Sequence, residues 1–151
     1  MTSIEKEDAL EEAERLRIRG NDAFGTKHWE RAAELYQESV ALDSTSANAA
    51  KTYSNLAATY CKMGLYDEAS EAAANCVKAN DQWAKGWWRR GVVAELRKEF
   101  TRALSYYSTA VELDSDNTTF RNALKDMEER LGVEKETLER TGMKVLRPGN
   151  E

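Results

Sequence analysis

Proline is nearly absent from this chain: its one instance is Pro148, close to the C-terminal end. Everything before it therefore lacks the strongest helix breaker. Histidine also occurs once, at His28, and cysteine twice, at Cys61 and Cys76. No Cys/His cluster has the spacing of a metal site, and two thiols in helical, partly apolar contexts read as reduced core residues, not a disulfide. Isoleucine and valine are scarce, which disfavours a sheet. No apolar stretch approaches the ~20 residues that span a bilayer. The N-terminal segment MTSIEKEDALEEAERL is acidic and amphipathic, unlike a secretory or organelle leader. There is no glycine-rich phosphate loop and no nucleophile–base pair, and His28 lies in the turn-like TKHWE. These gaps point away from an enzyme, a cofactor and a membrane, and toward a reducing, cytoplasmic setting.

What remains favours helix. The 151 residues suit one domain, with 41% hydrophobic residues to form a core and 32% charged residues to solvate it. Ala, Glu, Leu, Lys and Arg dominate, all good helix formers. The net charge of -5 argues against nucleic acid as a bulk partner.

The chain is self-similar. GNDAFGTKHWERAAELYQESVALD from Gly20, AATYCKMGLYDEASEAAANCVKAN from Ala57 and GVVAELRKEFTRALSYYSTAVELD from Gly91 align without gaps. Small residues recur at Gly20, Ala57 and Gly91, then at Ala32, Ala69 and Ala103. Trp29, Tyr66 and Phe100 each stand three places before those alanines. Tyr36 and Tyr107 follow them, with Ala73 as the exception. Small residues facing large ones at helical spacing describe paired antiparallel helices, packed knob into hole. Helices are expected near 9–25, 29–42, 47–63, 66–79, 82–97 and 100–113. A seventh, near 116–131, presents Phe120, Leu124, Met127 and Leu131 on one face and stops at Gly132.

This pattern resembles the tetratricopeptide repeat, a 34-residue helix-turn-helix. The likeness covers residues 13–117. Residues 1–12 then extend the first helix, 118–132 cap the last repeat, and 133–151 form a tail or linker. The repeat's usual closing proline is replaced here by Ser44, Asp81 and Ser115, which can still cap a helix. The fold expected from this resemblance is all-α: three repeats and a capping helix wound into a right-handed superhelical solenoid.

The stretch WAKGWWRRG, residues 83–91, packs three tryptophans and three cations into one helix. At ~100° per residue, Lys85 and Arg89 share a stripe and Trp87 lies on the opposite, core-facing side. Arg90 is expected to snorkel. Bases could stack on such a segment, but the tryptophans are committed to packing. In the first helix of each earlier repeat, Arg17 and Asn21 share a stripe one turn apart, and Asn55 precedes the packing residue Leu56. Within the repeat frame all five fall on the inner curve. Three cations and two amides on one hollow surface make an anion site with donors for a peptide.

That set is similar to the dicarboxylate clamp of co-chaperone tetratricopeptide domains. Its pattern is Lys-x-x-x-Asn, then Asn, then Lys-x-x-x-Arg. Here the residues are Arg17 and Asn21, Asn55, and Lys85 and Arg89, with arginine for the first lysine. The resemblance implies a non-enzymatic adaptor that binds the C-terminal EEVD tail of cytosolic heat-shock chaperones of the seventy- or ninety-kilodalton class. Ala58, Cys61 and Val92 are expected as groove wall. The alternatives are a scaffold for an unrelated extended peptide, or the targeting domain of a larger phosphatase, prolyl isomerase or ubiquitin ligase.

Overall fold

The structure, a computed structural model, describes the backbone of residues 1–141 and the side chains of residues 1–132, 139 and 140. The described residues form seven α-helices: α1 Ser3–Gly25, α2 Trp29–Leu42, α3 Ala47–Lys62, α4 Tyr66–Ala79, α5 Ala84–Leu96, α6 Phe100–Leu113 and α7 Thr118–Thr141. Helices α1 and α2, α3 and α4, and α5 and α6 pack as hairpins, and each hairpin packs against the next. Helix α3 also touches both α1 and α5, so the first helices of the three hairpins share one surface. The expected all-helical solenoid is what forms.

The hairpins repeat down to single hydrogen bonds. Ala32, Ala69 and Ala103 are each fully buried. Tyr36 and Tyr107 are 1% and 2% exposed and fill the space left by Gly20 and Gly91. In the first hairpin the buried Ser39 hydroxyl donates to the Ala13 carbonyl at 2.6 Å. In the second, Cys76 Sγ takes the same place and donates to the Ala50 carbonyl at 3.1 Å. In the third, both positions are apolar, Ala110 and Ala84, and both are buried.

Each hairpin turn holds one residue in the left-handed region: Lys27 at φ 64°, Gly64 at 74° and Lys98 at 61°. Only glycine adopts that conformation without strain, so two of the three turns hold a strained lysine. The second helices then start without a side-chain cap, at His28, Leu65 and Glu99. Packing, not capping, fixes these starts.

Two ends differ from expectation. Helix α1 begins at Ser3, ahead of the start near residue 9 read from the periodicity and inside the 1–12 extension expected of it, because Thr2 and Glu5 form a reciprocal capping box. Helix α7 runs through Gly132 to Thr141. A glycine costs a helix about 1 kcal/mol, too little to stop one when good helix formers follow in EKETLER. The rest of the tail lies outside the described residues. Helix α7 closes the last hairpin: Phe120 packs with Ala84 and Ala110, and Met127 with Ala94 and Tyr107. No helix among the described residues is long and apolar enough to cross a membrane.

Candidate functional site

The site begins at the α1–α3 contact. Asn21 Oδ1 accepts from the Tyr36 hydroxyl at 2.6 Å and from Asn55 Nδ2 at 2.9 Å. Two successive hairpins are thereby joined through one carbonyl oxygen. Both amides are fixed in orientation, so the Asn21 N–H groups and the Asn55 carbonyl are left for other partners. Burial pushes the Tyr36 phenol up to about 12, against the pull of the nearby Arg17 charge. It stays a donor at any physiological pH.

Arg89 makes the matching link between α5 and α3. Its Nε donates to Ser54 Oγ at 3.3 Å, one residue before Asn55. Its guanidinium lies 4.8 Å from the Trp88 ring centre and close enough to Cys61 and Cys76 to couple electrostatically with both. Burial lowers its affinity for the proton from the ordinary arginine value. An arginine so placed remains a cation, but a poorly hydrated one, and it gains more from an incoming anion than a surface arginine would.

Lys85, one turn earlier, is exposed, and no carboxylate among the described residues lies within ion-pairing distance of it. Arg17 is different. Its Nε donates to Glu14 Oε2 at 2.9 Å and its Nη2 to Glu14 Oε1, a two-point ion pair within α1. That pair raises the Arg17 pKa and lowers that of Glu14.

Of the five candidate residues, Asn21 and Asn55 therefore touch directly. Arg89 reaches the neighbouring residue on α3, Lys85 is open, and Arg17 is already held by an acid. Ala58 and Cys61 are half-buried on α3, and Cys61 packs against the core of the first two hairpins. Val92, expected as groove wall, packs in the cluster of α5, α6 and α7. Trp87, expected in the core, is half-buried. Its indole N–H donates to the Asp81 carbonyl at 2.8 Å, and its ring tilts against Tyr106. Arg90 snorkels as expected, lying 4.5 Å from the Tyr106 ring centre.

Sequence reasoning missed three residues here: Glu14, Tyr36 as an orienting hydroxyl, and Ser54. Glu14 stands three places before Arg17, a spacing that pairs side chains on a helix, so it was findable. Nothing in the local pattern marks Ser54, since its partner comes from another hairpin. A cavity of about 490 Å³ lies between α5 and α7, lined in part by Trp88, Glu95, Asn122 and Asp126. Among the described residues no group of His, Cys, Asp and Glu could hold a metal ion.

The fold is that of a tetratricopeptide-repeat domain: three helical hairpins and a closing helix. No family model matches the chain. The chain is 31% identical over 116 residues to the heat shock protein sti1 homolog of Schizosaccharomyces pombe, a match covering 77% of this chain and 19% of that protein. It is 28% identical over 114 residues to an Hsp70-Hsp90 organising protein of Plasmodium falciparum, covering 76% of this chain and 44% of that one. The chain thus spans about a fifth of the first of these relatives and under half of the second. Among solved structures, the Sgt2 domain of this fold from Aspergillus fumigatus superposes with a TM-score of 0.75 at 21% identity, over 93% of this chain and 89% of that one. The first such domain of Spaghetti (RPAP3), bound to the HSP90 peptide SRMEEVD, superposes with a TM-score of 0.75 at 21% identity, over 82% and 95%.

Proposed function

We propose that this domain is a cytoplasmic co-chaperone adaptor that captures the free C-terminal EEVD tail of a heat-shock chaperone on the surface shared by α1, α3 and α5. The observation that carries the reading is the Asn21–Asn55 junction, with Arg89 reaching the adjacent Ser54 from the next hairpin and Lys85 exposed one turn before Arg89. A terminal aspartate carries two carboxylates and a peptide N–H within one residue. Lys85 and Arg89 meet the carboxylates, the Asn21 N–H groups donate to an oxygen, and the Asn55 carbonyl accepts from the N–H. The likeness to Hsp70-Hsp90 organising proteins supports the same reading.

The chain's net charge of -5 repels an acidic peptide at long range. Attraction is therefore local and weakens with salt. A short peptide held this way binds in the micromolar range, about -8 kcal/mol. The test is calorimetric titration with an EEVD peptide and its C-terminally amidated twin. The free-acid peptide binds and the amide does not. Lys85→Ala, at an exposed position, weakens binding about tenfold or more while leaving the fold intact. Equal affinity for the two peptides rejects the reading, and so does an unaffected Lys85→Ala variant.

A further inference from the structure

Four arginines of the described chain pair with glutamates three or four residues away: Arg15 with Glu11 and Glu12, Arg17 with Glu14, Arg31 with Glu34, and Arg102 with Glu99. In three of them the side chain is about half exposed or more. Arg17 stands apart at 18%. It lies one turn from Asn21 and close enough to the Tyr36 hydroxyl to couple with it. It is also the only one of these arginines on the proposed peptide surface.

A guanidinium has five N–H donors on a rigid plane, and a carboxylate that takes two parallel ones occupies a whole edge. Glu14 occupies the Nε–Nη2 edge of Arg17. The two residues sit three apart on one rigid helix, so Glu14 never diffuses away. An incoming carboxylate must displace it or settle beside a second negative charge. In the unliganded domain the Arg17–Glu14 pair contributes no net charge, and Lys85 and Arg89 are left as the two cations of the site. A lysine at position 17 would offer a point charge that a single carboxylate cannot grip by an edge. The arginine at this position is what makes the two-point hold possible.

We propose that Glu14 is a tethered competitor for Arg17, a carboxylate belonging to the domain that occupies the place an acidic ligand would take and so sets a lower affinity. This rests on the reading of the surface as a carboxylate site. Glu14 lets go of Arg17 when a dicarboxylate ligand seats, and the released arginine becomes its third cation.

The experiment titrates the EEVD peptide and its amidated twin into the wild-type chain and into Glu14→Gln, Glu12→Gln and Arg17→Lys. Glu12→Gln makes the same charge change on the same helix but removes only one of the two exposed partners of Arg15. Circular dichroism confirms that each variant is folded. Glu14→Gln tightens free-acid binding about fivefold or more at low salt, Arg17→Lys also tightens it, and Glu12→Gln changes it less than about twofold. In the wild-type chain the Arg17 Nε–H proton resonance moves when peptide saturates the site. Unchanged or weaker binding by Glu14→Gln, with the wild type still preferring the free acid, overturns the competitor and leaves the carboxylate site standing. Equal gains from Glu14→Gln and Glu12→Gln also overturn it, since they reduce the effect to bulk charge. No preference for the free acid in either the wild type or Glu14→Gln overturns both.

Discussion

Replacing Gly20 with alanine separates what a helix wants from what this helix pair allows. In an isolated helix the change stabilises by about 1 kcal/mol. Here a methyl group at Gly20 would lie 2.6 Å from Tyr36 Cε1, 2.7 Å from Cδ1 and 3.1 Å from Cζ. Carbon atoms in contact settle at about 3.5–4.0 Å, so the ring must retreat by roughly 1 Å. Tyr36 is 1% exposed and has nowhere to go. Overpacking of this kind costs about 1–3 kcal/mol. A displaced ring also loses the 2.6 Å bond from its hydroxyl to Asn21, worth about 1 kcal/mol more. After the helical gain is subtracted, Gly20→Ala destabilises by about 1–3 kcal/mol. Gly132 is the control, because it lies inside α7 with nothing within 4 Å of a new methyl group. Gly132→Ala stabilises by up to about 1 kcal/mol. Thermal melts followed by circular dichroism register the two as Tm shifts of opposite sign, each about 2–4 °C per kcal/mol. A Gly20→Ala variant that melts higher than the parent refutes the steric argument, as do two shifts of the same sign.

Two further outcomes follow from burial. Tyr36 has its pKa pushed up to about 12, and that of Tyr107 is raised by burial and by its bond to Glu95. Above pH 10 the unfolded chain loses phenolic protons that the native state keeps, so stability falls as pH rises from 10 toward 12, by about 1.4 kcal/mol per unit for each such group. Urea melts across that range measure the fall, and a flat profile refutes it. The two thiols differ as well. Cys76 is fully buried with its pKa pushed up to about 12, while Cys61 is half-buried with a smaller upward shift. A thiol reagent at neutral pH modifies Cys61 first and reaches Cys76 only as the second hairpin opens; equal rates contradict this.

The helices were legible because each hairpin repeats one steric bargain, a small residue opposite a large one, and that bargain is written in residue size alone. Their ends were less legible. Gly132 reads as a stop signal, yet a glycine costs a helix only about 1 kcal/mol, and the good helix formers that follow carry α7 past it. At the site, residue types and spacing placed Asn21 and Asn55 on a common surface, and the structure joins them by a hydrogen bond. The state of Arg17 was another matter. Its charge could be read from the sequence, but whether the charge is spent depends on the rotamers of two side chains. Arg89 was placed on one stripe with Lys85, but its burial depends on α3, which a single-helix projection does not contain.

The Tyr36 side chain touches two things at once: its ring fills the hollow over Gly20 and its hydroxyl holds the Asn21 amide. Sliding α2 along α1 by one helical turn would carry that hydroxyl about 5.4 Å from its acceptor. The first hairpin therefore has a built-in gauge, and only a correctly registered pair of helices aims the amide toward its counterpart on the next hairpin. A chain that folded out of step would be silent as well as unstable.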